Sequence, residues 1–596
     1  MGIRQTLESM TIEEKIGQKI MLDFRYWDPA GKATLDMTQP DDTIKTLIMD
    51  HHIGGVILFA NNLKDRDQIA RLTSWYASLE TSTGLRLFIA TDNEGGNVFR
   101  LPRGEYASFS GNMALSAAIE GGADRQLAYE QGKQMAQDMK SLHINTNFAP
   151  VVDVNAHPAN PVINVRAFSD DAATVADLAQ RMVAGMRQEG LITTYKHFPG
   201  HGSTSVDSHT SLPRVDRPRE QAFAIDLAPY KQAIDSQAAP DMVMTAHIQY
   251  PALDSSLIRT RKGEEIIVPA TLSRQIQHNL LRGELEFRGV TITDALDMGA
   301  IVEHFSREEA LAGVFKAGVD IALMPVSISA PDQAYRLAPL IRAIAGKVRS
   351  GELCEAEIDA SVERILRLKQ RYALICHRPR KRVQPHTAAQ PAEKTIADGS
   401  ITLLVNQQAT LPLKDKTRRY FILTPWSEQA KGIAAVMTEK GYSHVVAAKE
   451  SALVEAEIRQ NIDQCDVFLL GTLSTRYTQV ESNGVANKKP VTDKDDVYLS
   501  YLRYAASQGK TRVHLSLRAP YDVVNYAEFV DAAVASYSFY GYENGVWRGR
   551  SMTSLAEVLI GNRRPAGKLP VNTWKRYDSQ THTGVVAQPK GFGLSW

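Results

Sequence analysis

The chain is poor in cysteine: Cys354, Cys376 and Cys465 are the only three in 596 residues, and none stands in a C-x-x-C spacing. That excludes a disulfide-built scaffold and a cysteine zinc site, leaving thiols expected to be buried or inert. Net charge is nearly absent as well. Lys plus Arg number 68 against 67 Asp plus Glu, so no global field draws the protein toward nucleic acid, an acidic polymer or an anionic membrane. No nucleic-acid partner is expected, and a small or neutral one fits better. No apolar run reaches the roughly 18 residues of a membrane span. The opening MGIRQTLESMTIEEKIGQ lacks the apolar core of a signal peptide, so the chain as given reads as cytoplasmic. A chain whose signal peptide had been removed would begin alike and be exported.

What is present is globular. Hydrophobic residues make up 43% and charged residues 23%, so there is enough apolar side chain for a core. At roughly one domain per 150 residues the length allows two to four domains. Between about 20 and 350, short apolar runs alternate with amphipathic stretches, the rhythm of a parallel sheet with crossover helices. The runs are Ile20 to Phe24, Gly54 to Phe59, Leu87 to Asp92, Asn145 to Val151, Thr193 to Pro199, Met242 to His247, Gly289 to Asp294 and Asp320 to Pro325. Eight of them predict a (β/α)8 TIM-type barrel. DRDQIARLTSWYASLE, ATVADLAQRMVAGMRQEG, REQAFAIDLAPYKQAID and TLSRQIQHNLLRG read as helices, the last with Thr271 or Ser273 as N-cap. HRPRKRVQPHTAAQP lacks apolar periodicity and reads as an interdomain linker, placing a barrel domain at 1–376, the linker at 377–398 and a second domain at 399–596. In that last part SITLLVN, RRYFILTP, SHVVAAK, CDVFLLGT, TRVHLSLRAP and AAVASYSF alternate with helical stretches, predicting a C-terminal three-layer α/β sandwich.

Asp23, Asp92, Lys196, His197, His247 and Asp294 each end or follow an apolar strand. Charge inside a buried strand is costly, whereas strand C-terminal ends form the active face of such a barrel. The densest group is KHFPGHGSTSVDSH, residues 196–209, where Pro199, Gly200 and Gly202 turn the backbone sharply. TDALDM puts Asp294 at the end of the seventh strand, with Asp297 read as a cap or surface residue, and TDNEGG puts Asp92 after the third. In NPVINVRAFS, Arg166 follows a loop and can clamp a hydroxyl or carboxylate. These residue types allow two chemistries. In one, Asp294 is a nucleophile and His209 a general acid/base oriented by Asp207, which suits displacement at a sugar carbon. In the other, His197, His201, His209 and Asp294 ligate a metal that activates water, although the HxH expected after the first strand of such barrels is missing.

Taken in order, EGG, APVVDV, PVINVRAFS, KHFPGHG, DSH and TDALDM resemble glycoside hydrolase family 3, and within it the bacterial β-N-acetylglucosaminidases. The resemblance spans essentially the whole chain, including RRPAGKLPVN in the second domain. It implies that Asp294 is the catalytic nucleophile and that Asp207 with His209 forms the acid/base dyad. Asp92, Arg166, Lys196 and His197, joined by Arg25, would bind the N-acetylglucosamine ring. Related glucosidases take their acid/base from a glutamate in the second domain and carry SDW at the nucleophile; here TDA and DSH stand instead, making a glucosidase the weaker reading. Asn97 stands where compact relatives read EGGRV. The resemblance implies a retaining exo-β-N-acetylglucosaminidase without metal or cofactor. Its expected partner is a carbohydrate bearing terminal N-acetylglucosamine, a peptidoglycan fragment or a chitin-type oligosaccharide, and the chain is expected to act as a monomer. Phosphorolysis stays open, because a histidine acid/base leaves room for an anionic acceptor.

Overall fold

A computed structural model describes residues 2–206, 208–209, 211–375, 391–473, 495–575 and 584–596. Eight parallel strands appear in the predicted runs: β1 (Ile20–Asp23), β2 (Gly55–Leu58), β3 (Phe88–Thr91), β4 (Thr146–Asn147), β5 (Thr194–Phe198), β6 (Met242–Thr245), β7 (Val290–Thr293) and β8 (Ala322–Leu323). Each of β1 to β4 pairs with the next, as do β5 to β7, and β8 returns to β1. Parallel bridges Thr146–Ile192 and Ile292–Ile321 join the two arcs, so the ring closes in sequence order.

Alternate side chains explain why these runs read as continuously apolar. Met21, Ile57, Phe88, Ala90, Met244, Ile292 and Leu323 fill the interior with Ile365 and Leu368 of the helix Glu355–Arg371. Their neighbours Ile20, Leu22, Val56, Leu58, Ile89 and Val243 pack outward among the helices. A strand buried on both faces has no polar side to show.

The second sheet follows from the same physics. Its strands are β9 (Thr402–Asn406), β10 (Arg419–Thr424), β11 (His444–Lys449), β12 (Val467–Thr472), β13 (Thr511–Ser516) and β14 (Ala532–Ala535). Their spatial order is β9-β14-β13-β12-β10-β11, parallel except for β9. Tyr420, Ile422, Val467 and Leu469 face Ile433 and Leu555, while Phe421, Leu423, Phe468 and Leu470 pack on the opposite side with Ile458 and Leu502. Helices on both faces make the three-layer sandwich.

Two local expectations change, and one pair of alternatives is decided. Residues 391–398, assigned to the linker, begin the helix Pro391–Ser400, whose Ala392 and Ile396 are buried in the apolar core; residues 376–390, including Cys376, lie outside the described residues. The stretch 219–235 is not one regular helix. Leu227 N–H bonds to Ala222 O five residues back, and Pro229, lacking an N–H, opens the next helix, Ala228–Asp235. For the TLSRQIQHNLLRG segment Ser273 supplies the cap, its Oγ accepting from Ile276 N–H at 3.0 Å. Cys354 is exposed and Cys465 buried, both free thiols.

Candidate active site

The C-terminal ends of the barrel strands carry two linked clusters. The first is an ion-pair chain. Lys196, buried in β5, places Nζ 3.0 Å from Asp92 Oδ1 and 2.7 Å from Glu94 Oε1. Glu94 in turn accepts a bidentate pair from Arg166, at 2.9 Å from Nε and 2.7 Å from Nη2. Burial alone would raise the Glu94 carboxyl, but Arg166 and Lys196 outweigh it and hold the group well below the carboxylate range. Burial likewise disfavours the Lys196 cation, yet Asp92 and Glu94 raise it above the ordinary value. A third Arg166 donor, Nη1, bonds Val162 O at 3.1 Å. Glu94, Lys196 and Arg166 are therefore held in their charged forms, and together with Asp92 they make a fixed polar array at the strand ends.

The second cluster surrounds Asp294. Its Oδ1 accepts the N–H of Ala295 at 2.7 Å, and its Oδ2 stands 3.9 Å from His197 Nε2. Burial raises this carboxyl, but the imidazoles of His197, His247 and His209 and the Ala295 amide bring it below the usual value. His197 is oriented from behind, its Nδ1 2.7 Å from buried Asp153 Oδ2. Asp153 also accepts the main-chain N–H of His197 at 3.2 Å and of His201 at 2.7 Å. His247 lies beneath Asp294, bonded to Thr271 Oγ1 at 2.7 Å and Ala295 O at 2.8 Å, and burial lowers its pKa. His209 is exposed, and its carbonyl accepts Gly299 N–H at 3.2 Å, tying its loop to the segment after β7. Asp207 lies outside the described residues.

The turn bearing these residues is specified by close approach. A Cβ on Gly202 would sit 1.8 Å from Val154 O, and one on Gly200, at φ +138°, 2.7 Å from Asp226 Cβ. Arg25 stacks its guanidinium over the Phe59 ring at 3.6 Å, beside Asp23. Asp297 reaches solvent at the rim of this cluster, where Arg25, Asp294 and His209 act on its carboxyl, and Met298 rather than Asp297 precedes the helix Gly299–Val302. Asn97 offers its carbonyl to the Tyr540 hydroxyl at 3.4 Å across the domain interface.

Glu94 and Asp153 are not singled out as site residues by the sequence, although EGG and APVVDV contain them, whereas His247, read at the end of the sixth strand, does lie in the site. The available signal was a carboxylate or imidazole inside or just past an apolar strand. For a metal reading, the ring nitrogens of His201 are engaged by Thr204 and Ser208, and His197 Nδ1 by Asp153. Among the described residues no group of three or more His, Cys, Asp or Glu is arranged to hold a metal ion. No helix among them is long and apolar enough to cross a membrane.

Residues 11–368 match the glycosyl hydrolase family 3 N-terminal domain, and residues 401–596 match the family 3 C-terminal domain. Beta-hexosaminidase A of Pseudoalteromonas piscicida is 36% identical over 585 residues, covering 94% of this chain and 97% of its own. A beta-hexosaminidase of Alkalilimnicola ehrlichii is 34% identical over 292 residues, 49% of this chain and 78% of its own. Among solved structures, a glycoside hydrolase family 3 beta-N-acetylglucosaminidase from Paenibacillus sp. str. FPU-7 aligns with a TM-score of 0.75 at 29% identity, covering 94% of this chain and 99% of that one. A beta-glucosidase from Listeria innocua shares the fold at 20% identity and a TM-score of 0.70, over 100% of this chain and 82% of its own.

Proposed function

The chain belongs to glycosyl hydrolase family 3, and we propose that it is a retaining exo-β-N-acetylglucosaminidase with Asp294 as nucleophile and His209 as general acid/base. The observation that carries the reading is Asp294 itself: a carboxylate at the end of β7, kept ionised against burial by three imidazoles, with His209 tied to the same βα segment. Asp294 Oδ2 attacks C1 of a terminal β-linked N-acetylglucosamine while the His209 imidazolium gives its proton to the departing oxygen. The product is an α-glycosyl ester of Asp294 plus the free leaving group. Neutral His209 then takes a proton from water, whose oxygen attacks C1, breaks the ester and releases the sugar with retained configuration.

Asp207 is assigned to orient His209 and stabilise its cation. Asp92, Arg166, Lys196 and His197, with Arg25, are assigned to the sugar's polar groups, where contacts that tighten in the oxocarbenium-like transition state accelerate the reaction. The leaving group is a peptidoglycan fragment or a chitin-type oligosaccharide.

The test is release of 4-nitrophenol from the N-acetyl-β-glucosaminide and the β-glucoside, with wild type, Asp294→Ala and His209→Ala, each with and without EDTA. Turnover of the N-acetyl substrate alone, indifferent to chelator and depressed in both variants, is the expected result. Preference for the glucoside or chelator-sensitive activity would overturn it.

A further inference from the structure

We propose that His201 and Ser208 form a latch that positions the acid/base His209, an inference that rests on the role assigned to His209 above. The imidazole of His201 is 1% exposed and bonded at both ring nitrogens, Nδ1 to Thr204 Oγ1 at 2.7 Å and Nε2 to Ser208 Oγ at 2.9 Å. The direction of the first bond follows from the neighbouring groups. Thr204 donates its hydroxyl proton to His201 O at 3.0 Å, so its oxygen accepts from Nδ1–H. On the other side of the ring, Nε2 and the Ser208 hydroxyl share a hydrogen bond at 2.9 Å.

The base of the latch is rigid. Asp153 Oδ1 accepts His201 N–H at 2.7 Å, and Asn160 Nδ2 donates to His201 O at 2.8 Å. Its far end is the residue before His209. Ser208 is 2% exposed, whereas His209 is exposed to solvent. The main chain on this side is held by Ala300 N–H to Ser208 O at 3.3 Å and Gly299 N–H to His209 O at 3.2 Å. His209 thus projects from a short segment suspended between the β5 turn, through His201, and the segment following the nucleophile. To these main-chain hydrogen bonds the buried Ser208 side chain adds an anchor on His201. His201 therefore acts as a positioning residue that never touches the sugar.

A misplaced proton donor harms only substrates that need protonation, and this separates positioning from simple loss of fold. The experiment compares kcat/KM for phenyl and 2,4-dinitrophenyl N-acetyl-β-glucosaminides in wild type, Ser208→Ala, His201→Phe and His209→Ala, with melting temperatures alongside. The phenolate is a poor leaving group, while the dinitrophenolate departs without a proton. Ser208→Ala is expected to lose about tenfold on the phenyl substrate, a fraction of what general acid catalysis contributes, and to stay within about threefold on the dinitrophenyl one. His201→Phe should give the same split more strongly. An equal loss on both substrates, or no loss on the phenyl one, overturns the latch. If His209→Ala shows the split and Ser208→Ala does not, the latch alone fails; if His209→Ala shows none, the acid assignment fails and takes the latch with it.

Discussion

At the scale of single residues, burial and charge decide which carboxylates are ionised. Asp294 and Glu94 are held ionised by cationic partners, but Asp23 at the end of β1 is pushed up to about 6 by burial, despite Arg25, and its Oδ1 has no hydrogen-bond partner among the described residues. An unfolded aspartate titrates near 4, so between about pH 4 and 6 the unfolded chain gives up a proton that the native state keeps. Stability contributed by protonated Asp23 is therefore full below pH 4 and lost as pH rises toward 6. Asp23→Asn should stabilise the protein by up to about 3 kcal/mol at pH 7 and not at pH 3.5, as read from denaturant unfolding at both values. Asp92, Lys196, His197 and Asp294 were legible in the sequence because each puts charge at the end of an apolar strand. Glu94 was not, because its meaning lies in Arg166, 72 residues on, and in isolation EGG looks like a turn. Asp153 was hidden similarly, its partners standing 44 and 48 residues away.

At the scale of elements, all eight barrel strands and all six of the second sheet stood out, most because strands covered on both faces are continuous apolar runs, and the partly exposed edge strand β11 by its Val-Val-Ala-Ala run. The helix 219–235 did not read correctly. Its apolar spacing is helical, but an i→i+5 bond and Pro229 break the regular ladder. The face of the barrel opposite the site carries its own buried charge at the start of β8. Asp320 is bonded to Arg282 at 2.6 Å and Arg364 at 2.8 Å, with Ser361 donating at 2.7 Å. Burial would raise its carboxyl, but the two arginines and Lys19 hold it far below the usual range, while burial brings Lys19 down to about 7. Removing one partner from such a set strands the others without compensation. Asp320→Ala is expected to cost about 3–5 kcal/mol in unfolding free energy, with kcat/KM at 20 °C within twofold of wild type. A large loss of activity with unchanged stability would contradict this division between the barrel's two ends.

At the scale of the whole molecule, the second domain buttresses the loop that holds Arg166. Tyr521 OH accepts from Asn155 Nδ2 at 2.8 Å, and Asn155 Oδ1 accepts Asn164 N–H at 3.1 Å, two residues before Arg166. Ser169 Oγ bonds Pro570 O at 2.6 Å, Asp170 accepts Asn572 N–H at 2.9 Å, and Lys590 reaches Asp171 at 3.1 Å. Little of this was visible in the sequence, where each contact between the two domains joins residues about 360 to 420 positions apart and no periodicity marks them. Tyr521→Ala, losing the hydrogen bond to Asn155 and ring packing at the interface, should lower kcat/KM about fivefold or more, because the displaced loop orients Arg166, a group assigned to the sugar. The central claim, covalent catalysis by Asp294, is tested most directly by intact-mass measurement after incubation with a 5-fluoro N-acetylglucosaminyl fluoride, followed by peptide mapping. One added sugar per chain, located on Asp294 and absent in Asp294→Ala, is the predicted result. An adduct on another residue, or turnover of this reagent with no adduct in the wild type, would contradict the account.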